Sequence, residues 1–501
     1  MAGLKFHPTI LFACAALAVW WLLRDIALAN DVGWQFWIAR QMLGGTTLYD
    51  QIWEINPPLW FWSAIPLQWL AERAAWDWGR VLVGAVVTLG ALSAWLTARI
   101  LELPRSGMRL GVMLLVFTMT VVLHAGLTGQ REQLALIGSV PYAALLARRG
   151  AGHPTAPLLA IAVAVLAAYG FALKHYFLVV PVLLELWLML IRGKSWRPWR
   201  PELIVLTVLA VSYATAVIIL TPAFFTVNLP MVEAGYSASR QTLFFTLTQP
   251  PVLMWTVAGL FLWLTRHAAL RDLGAVADFA TPALVLTWLG FAFGFILQLR
   301  GWDYHAIAAT GAIGVAVGLR AMRLYPPLVL TLIAGMIWAF CFVANVKSPE
   351  RAAEAAYLDR VPSGEGVFIA NFDASTIFQR RREDLTWVSR SYSMWMVFAI
   401  AKAEAEGTLS PALVHLKTQV LDAVSQDIRC HRPQLIIMQA TPGFPNRNNE
   451  FSFNEFLRRD PALRKFIAAH YSPAQQASIG TVYWRAHSKS RVAGIGCRVI
   501  H

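Results

Sequence analysis

A carboxylate, Asp31, stands where the first long apolar run of the chain gives way to polar and aromatic residues. The run Pro8–Ala29 ends directly before Asn30 and Asp31. A carboxylate at the boundary between lipid and water can act as a general base on a substrate anchored in the membrane. Asp31 is therefore our candidate catalytic base, and a second carboxylate could come from Glu54, Asp50 or Glu132. A plainer alternative stays open, in which Asp31 only caps the helix that follows.

Basic and aromatic residues recur at the ends of other apolar runs that we place on the same side of the membrane. Arg binds phosphate through a planar fork, and Lys binds it as a point charge. Charged groups at the depth of the bilayer boundary are costly and tend to mark function. We predict that a donor phosphate site is formed by Arg131, Lys174, His175, Arg300, Tyr304 and His305.

Each of these residues also has a simpler interpretation. Arg131 could start a helix and pair with Glu132, and Lys174 could extend toward the interface. Arg300 could form a local ion pair with Asp303. A histidine at a helix end, such as His124, is more often a packed residue than a functional one. The occurrence of these residues on one predicted face is stronger evidence than any single one.

Together the two sets predict transfer of a sugar from a polyprenyl phosphate. Asp31 would take the proton from an acceptor hydroxyl as that oxygen attacks the anomeric carbon. Arg131, Lys174, Arg300 and His305 would stabilise the departing phosphate, whose charge grows as the bond breaks. This scheme needs no protein nucleophile, and the configuration of the sugar would invert.

The composition predicts a polytopic helical membrane protein. The chain has 501 residues, of which 57% are hydrophobic and 14% are charged, and soluble domains carry about 25% charged residues. The formal net charge of +14 lies mostly in short loops, where it sets orientation. We therefore expect membrane lipids as partners and no nucleic acid.

Apolar runs of spanning length place the membrane helices. We predict about eleven spans, at 8–29, 79–98, 110–126, 132–147, 156–172, 175–192, 202–221, 251–265, 281–298, 305–320 and 325–344. Lys and Arg cluster at alternate loops, which predicts a cytoplasmic N-terminus and an outer C-terminus. We expect the first run to be retained as a span, although Ala27-Leu28-Ala29 resembles a signal-peptide cleavage site.

Two segments after the first span do not fit as further spans. Pro57–Leu70 is about 14 residues long, which favours an interfacial or re-entrant segment. Trp34, Trp37, Ile38 and Gln41 have helical spacing, which predicts a helix on the membrane surface in the first outer loop.

The composition changes after Ala344, so we divide the chain into a membrane module, 1–345, and a polar domain, 346–501. Strands are predicted at Val367–Ala370, Leu435–Met438 and Thr481–Trp484, and helices at Ala412–Val424 and Phe453–Leu457. This pattern predicts an α/β domain outside the cytoplasm. There Cys430 and Cys497 could pair, although the sequence does not settle it. We expect Cys14 and Cys341 to be small buried residues of spans.

Motifs for other chemistry are missing from the sequence. It has no P-loop, no HExxH, no Cys/His zinc spacing and no Gly-x-Ser-x-Gly elbow. A nucleotide-driven reaction is therefore not expected. No cofactor is indicated, and a divalent metal stays open because Asp31 and Glu54 fall on the same predicted side.

The outer segments resemble those of the GT-C superfamily of polyprenyl-phosphate-sugar-dependent glycosyltransferases. The resemblance rests on Asp31 after the first span, on Leu48-Tyr49-Asp50 and Asn56-Pro57-Pro58-Leu59, and on the motifs at 129–134 and 301–305. It covers roughly 1–345 and is nearest to bacterial relatives of protein O-mannosyltransferases and of the lipid A aminoarabinose transferase.

The resemblance implies a multi-pass protein of the bacterial inner membrane, with a GT-C-like fold, a periplasmic surface helix and a C-terminal periplasmic domain. It also implies Asp31 as base and, less directly, Arg131, Lys174 and Arg300 as phosphate ligands. One departure is that O-mannosyltransferases have an Asp-Glu pair in the first loop, whereas this chain has Asp31-Val32. Metal use therefore stays open, and so does the acceptor, which could be a glycan, a lipid or a protein.

Other classes of protein stay open. A flippase for a lipid-linked sugar would also need an anion site, but it would be expected to carry polar groups deep inside its spans. A non-catalytic subunit of an envelope glycan assembly would not need Asp31. A ligase that uses a pyrophosphate carrier is a further enzymatic alternative.

Overall fold

The chain divides into two compact units in the computed structural model, which describes residues 7–268, 273–324, 335–336, 352–373, 375–379, 381–445, 450–486 and 497. The first, which we name the helical unit, comprises Met1–Leu28, Leu70–Ala216 and Arg240–Val346. The second, which we name the sheet unit, comprises Ala29–Trp69, Val217–Ser239 and Lys347–His501.

The α-helices, numbered in chain order over the described residues, precede and flank a small set of strands. They are α1 (Pro8–Leu23), α2 (Asn30–Leu43), α3 (Leu59–Ala74), α4 (Trp78–Ile100), α5 (Ser106–Thr120), α6 (Arg131–Gly150), α7 (Pro157–Ala172), α8 (Val179–Arg192), α9 (Pro201–Leu220), α10 (Leu229–Tyr236), α11 (Leu243–Leu247), α12 (Pro250–Leu264), α13 (Ala275–Gln298), α14 (Ile307–Leu324), α15 (Ala352–Leu358), α16 (Thr376–Gln379), α17 (Trp395–Glu406), α18 (Pro411–His431), α19 (Phe453–Leu457) and α20 (Pro461–His470). The strands are β1 (Gly366–Ala370), β2 (Thr386–Trp387), β3 (Leu435–Met438), β4 (Ala440–Pro442), β5 (Glu450–Ser452), β6 (Gln475–Ala477) and β7 (Gly480–Trp484).

Six helical stretches are long and apolar enough to cross a membrane. They are Trp78–Ile100, Ser106–Leu127, His175–Ser195, Pro201–Leu220, Ala275–Gln298 and Asp303–Leu324. Each contains one of the predicted spans or nearly all of it. The prediction of a multi-pass helical membrane protein is therefore confirmed.

The remaining predicted spans are less uniform. The helices α1, α7 and α12 are apolar but shorter, with 16, 16 and 15 residues. The predicted span 132–147 is helix α6, whose ends carry Arg131, Glu132, Arg148 and Arg149, and it is not among the six. The predicted span 325–344 lies almost entirely outside the described residues. The count of eleven therefore stays a prediction.

Helix α6 is the buried centre of the helical unit, because nearly all of its residues lack solvent exposure. Its backbone approaches that of α7 closely. A Cβ atom on Gly138 would lie 2.5 Å from the Leu166 carbonyl oxygen, and one on Gly170 would lie 2.8 Å from the Ala135 Cα. Small residues permit this kind of contact between membrane helices. The two glycines thereby fix the helix that begins with Arg131.

Charges at the other end of α6 are balanced. Arg149 donates to the buried carboxylate of Glu202 at 2.9 and 3.0 Å, and Arg200 lies 3.3 Å from the same carboxylate. Arg200 also pairs with Glu185, which accepts from the Tyr142 hydroxyl at 3.1 Å. Two guanidinium groups thus face two carboxylates, as expected for a structural network.

The sheet unit is built on a five-stranded mixed sheet in the order β2-β1-β3-β7-β6. Strand β1 is parallel to β2 and β3, and Val367 pairs with Leu435, whereas β7 runs antiparallel to β3. All four residues of β3 are buried, as expected for a central strand covered on both faces. The three predicted strands and both predicted helices are confirmed, with small differences at their ends.

Two segments from the membrane part of the sequence belong to the sheet unit. Trp53 and Met231 lie in its hydrophobic core with Trp395, Met396 and Leu416. The helix predicted around Trp34 and Gln41 is confirmed as α2, whereas its place on an outer membrane surface stays a prediction, and Pro57–Leu70 falls mostly in α3. Neither α2 nor α3 is among the helices apolar and long enough to span. The assignment of the polar domain to 346–501 alone stays a prediction.

Cys430 and Cys497 form a disulfide bond, with Cα atoms 5.6 Å apart. The expectation of a buried Cys14 is wrong, because this residue is exposed. Helix α1 buries Phe12, Ala16 and Val19 along one stripe, and Cys14 lies outside it. Cys341 lies outside the described residues.

The close approach of α6 and α7 predicts that a side chain at Gly138 destabilises the fold. Gly138→Val places methyl groups against the Leu166 carbonyl, and overpacking costs about 1–3 kcal/mol. The melting temperature of the detergent-purified protein should fall. Gly107→Ala is the matched control, since a Cβ there meets nothing within 4 Å. Equal melting temperatures for the two variants would contradict the close packing.

Candidate active site

Four side chains of the helical unit meet at helix junctions, and we name them the basic cluster: Arg131, Lys174, Arg300 and His305. Arg131 is the first residue of α6, and Lys174 follows α7. Arg300 follows α13, and His305 lies in the 3-10 turn that leads into α14. All four are buried, and the three cations lie within electrostatic range of the His305 ring. The structure thus brings together residues from three separate junctions.

A buried ion pair anchors the basic cluster. The Lys174 ammonium donates to Glu132 Oε1 at 2.5 Å, and the Glu132 side chain is fully buried. Glu132, predicted as a second carboxylate, is therefore the partner of Lys174. The basic cluster therefore places three buried cations and the carboxylate of Glu132 at adjoining helix junctions.

Aromatic rings frame the basic cluster. The Lys174 ammonium lies 5.5 Å from the Tyr176 ring and 5.9 Å from the Tyr304 ring. The Tyr304 ring is 4.3 Å from the His305 ring, measured between centroids. The Tyr176 hydroxyl donates to Gln298 Oε1 at 2.6 Å. The rings limit the movement of Lys174 and His305.

Of the predicted phosphate ligands, His175 is placed differently from the rest. Its side chain is exposed, and its ring packs edge-on against Tyr176 at 5.0 Å. His124 is buried, and its Nε2 has no hydrogen-bond partner within the described residues.

Two glutamines beside Arg131 belong to the same junction. Gln133 accepts from the Gly129 amide at 2.9 Å and donates to the Thr120 carbonyl at 3.0 Å, which ties the start of α6 to the end of α5. Gln130 is 0% exposed, and neither atom of its amide has a hydrogen-bond partner in the described part of the chain. An unsatisfied buried amide in a native site suggests a ligand or water. The motif at 129–134 contains Gln130, but its burial could not be read from the sequence.

The candidate base lies in the sheet unit. Asp31 is in the first turn of α2, one residue after the first, and the N-cap position belongs to Ala29, which makes no side-chain cap. The carboxylate is partly exposed and sits where the helix dipole favours a negative charge. The capping alternative therefore does not describe Asp31, because the helix starts before it.

Glu54 is held by four hydrogen bonds. Oε1 accepts from the Ile55 amide at 2.8 Å, from the Asn56 amide at 3.0 Å and from the Asn56 side chain at 2.6 Å. Oε2 accepts from the Trp34 indole at 2.6 Å. A buried carboxylate with this many donors is a fixed anion. Glu54 therefore positions Trp34, whereas Asp50, the other predicted second carboxylate of this loop, is exposed.

The loop that contains Glu54 is closed by Tyr49. Tyr49 has a φ of 74°, in the left-handed region that is unfavourable for a bulky residue. Its hydroxyl donates to the Asn56 carbonyl at 2.6 Å, and its amide donates to the Ile52 carbonyl at 3.0 Å. The two motifs at 48–50 and 56–59 thus form one turn that fixes Glu54.

Trp34 joins α2 to residues that the sequence did not indicate. Its indole stacks on Trp37 at 4.5 Å and contacts Phe378 at 5.3 Å and Tyr392 at 5.8 Å, measured between ring centroids. Burial raises the pKa of the Tyr392 phenol well above its usual range, and the negative charges of Asp31 and then Glu54 raise it further. Tyr392 is therefore a neutral hydroxyl within electrostatic range of both carboxylates.

Gly33 permits this packing of α2. A Cβ atom on Gly33 would lie 2.4 Å from the Phe378 carbonyl oxygen, so α2 and α16 are in backbone contact. No group of three or more His, Cys, Asp or Glu side chains in the described ranges could hold a metal ion.

The fold of this chain is similar to that of a protein of known structure. No protein-family model and no curated protein match the sequence. Among solved structures, the chain is similar to ArnT from Cupriavidus metallidurans, in a crystal structure bound to undecaprenyl phosphate. Identity is 14% and the TM-score is 0.54, over 95% of this chain and 97% of that chain.

The Lys174–Glu132 ion pair predicts that the free energy of unfolding depends strongly on both side chains. Lys174→Met leaves the Glu132 carboxylate buried without its ammonium partner, which costs about 3–5 kcal/mol. The double variant Lys174→Met/Glu132→Gln removes both charges and should regain most of the loss. Thermal unfolding of the purified protein measures both. Equal destabilisation in the single and double variants would show that the pair does not couple.

The likeness to ArnT extends over nearly the whole of both chains, and at 14% identity it shows the fold alone. The chain therefore has an ArnT-like fold, which agrees with the predicted fold.

Proposed function

We propose that the protein is an inverting glycosyltransferase that moves a sugar from a polyprenyl-phosphate donor to an envelope acceptor. The observation that carries this proposal is the basic cluster, in which three buried cations accompany one buried carboxylate. A phosphate monoanion or dianion could accept charge-assisted hydrogen bonds from these cations. The structure of ArnT with undecaprenyl phosphate supports a polyprenyl phosphate as the anion.

The basic cluster has the chemistry of a leaving-group site. Bond cleavage at the anomeric carbon increases the negative charge on the phosphate oxygens. Arg131 and Arg300 would meet these oxygens with planar forks, and Lys174 would do so with a point charge. The unsatisfied amide of Gln130 and the unsatisfied Nδ1 of His305, among the described residues, supply two further polar contacts.

Asp31 is the proposed general base. Its carboxylate would remove the proton from an acceptor hydroxyl as that oxygen forms its bond to the anomeric carbon and the bond to phosphate breaks. The partial exposure of Asp31 leaves it open to an acceptor, unlike the saturated Glu54. Tyr392 would act as a positioning residue, since a neutral phenol can donate a hydrogen bond beside a carboxylate.

We further propose that the reaction takes place on the periplasmic face of a bacterial inner membrane, with the N-terminus in the cytoplasm. The alternation of Lys and Arg clusters between loops supports this orientation. At the opposite end of α6, Arg149 and Arg200 are paired with carboxylates in a structural network, which also supports a donor phosphate site at the end that carries Arg131. The acceptor is a glycan, a lipid or a protein of the envelope.

A phosphate role for the basic cluster predicts that Gln130→Leu weakens donor binding without loss of stability. The Gln130 amide has no hydrogen-bond partner in the described part of the protein, and loss of its bond to phosphate should raise the donor KM about tenfold. The melting temperature should stay the same or rise, because an apolar side chain replaces an unsatisfied amide.

The assay is release of polyprenyl phosphate from a synthetic polyprenyl-phosphate sugar by the detergent-purified protein with an envelope extract as acceptor. The exposed Gln475→Leu is the matched control and should keep the parent KM. Donor binding without release by the parent would favour a flippase or an assembly subunit. An unchanged KM in Gln130→Leu would remove Gln130 from the phosphate site.

A further inference from the structure

The sheet unit contains a groove that the proposed chemistry does not use. Its volume is about 520 Å³, within the range of small-molecule sites. It is open to solvent and lies where the first outer loop, the segment 217–239 and helix α18 meet. Its lining includes Trp53, Met231, Arg390, Gln419, Asp422 and Gln426, together with the apolar Val227 and Ala423.

One wall of the groove is rigid. The Arg390 guanidinium donates to both oxygens of the buried Asp427 carboxylate, at 3.1 and 2.8 Å, and to Gln426 Oε1 at 3.0 Å. The Trp53 amide donates to the Arg390 carbonyl at 2.7 Å, and the guanidinium lies 5.3 Å from the Trp53 ring. These contacts hold the Trp53 ring and the Arg390 guanidinium beside each other.

A polar stripe on α18 borders the same groove and reaches Arg390 through Gln426. Gln419, Asp422 and Gln426 are spaced three and four residues apart, so they share one face of the helix, and all three are exposed. Two amides and a carboxylate offer both donors and acceptors. The groove therefore combines an apolar floor, to which the mostly buried Trp53 and Met231 contribute, with a row of planar hydrogen-bonding groups.

The balance of these groups favours a saccharide. The one cation, Arg390, is already paired with Asp427, so the groove has no surplus of positive charge for a nucleic acid or a free phosphate. Peptide grooves are usually apolar or lie along a free strand edge, and this one has a helix with a polar face. A sugar ring has an apolar face that can cover the apolar floor and hydroxyl groups at its edge for the stripe on α18.

We propose that this groove binds the saccharide part of the acceptor, and this inference rests on the proposed glycosyltransferase function. Trp53 precedes Glu54, the carboxylate that holds Trp34 in α2, three residues after Asp31. Acceptor binding in the groove is thereby connected, through one short loop of the sheet unit, to the helix that carries the base. The acceptor is accordingly a glycan or a glycolipid.

The test is saturation-transfer-difference NMR with short oligosaccharides released from bacterial envelope glycolipids by mild acid. The full chain in detergent should give signals from sugar ring protons. The double variant Gln419→Ala/Asp422→Ala should weaken the binding about tenfold or more. Both positions are exposed, so the fold should be unaffected. His415→Ala, exposed on the same helix outside the groove, should bind like the parent.

Binding of polyprenyl phosphate, measured on the same samples, separates this inference from the proposed function. The inference holds if donor binding is unchanged in every variant while oligosaccharide binding is lost only in the groove variant. Oligosaccharide binding that persists in Gln419→Ala/Asp422→Ala overturns the groove, as does a parent protein that binds no oligosaccharide. Failure of the parent to bind polyprenyl phosphate would instead overturn the proposed function.

Discussion

Buried positive charge at the helix junctions is the constraint on which the helical unit depends. Arg131, Lys174 and Arg300 share their surroundings with one carboxylate, Glu132, whereas the guanidinium groups at the other end of α6 face an equal number of carboxylates. Burial of charged side chains opposes folding, so the surrounding structure must supply the stability. The fully packed α6, its close contact with α7 and the hydrogen bonds of Gln133 supply it.

The sheet unit holds the helix of the candidate base through one buried carboxylate and a set of aromatic contacts. The saturated carboxylate of Glu54 fixes the Trp34 indole, and Trp34 in turn packs against Phe378 and Tyr392. These contacts hold α2 in place within the sheet unit. Asp31, in the first turn of α2, is partly exposed. The two carboxylates thus differ in their surroundings, since Glu54 is buried and accepts four hydrogen bonds, whereas Asp31 is partly exposed.

The basic cluster could be predicted from the predicted topology, because alternate loops of a membrane protein lie on the same face. The loops predicted on that face carry Arg131, Lys174, Arg300 and His305. The fixed role of Glu54 was not predictable, since it depends on two backbone amides of a closed turn. Tyr392 and Arg390 come from the far end of the chain, and their contacts depend on tertiary packing alone. The span at 132–147 was predicted from apolar content, but the burial of α6 on nearly all sides depends on packing and could not be read from the sequence.

The most direct test of the account is the comparison of the parent with Asp31→Asn in release of polyprenyl phosphate from a synthetic polyprenyl-phosphate sugar. The substitution keeps the size of the side chain and removes its basicity. We expect Asp31→Asn to bind the donor like the parent and to release polyprenyl phosphate more slowly by a factor of about 10² or more. Release at the parental rate by Asp31→Asn would contradict the role of Asp31 as the base.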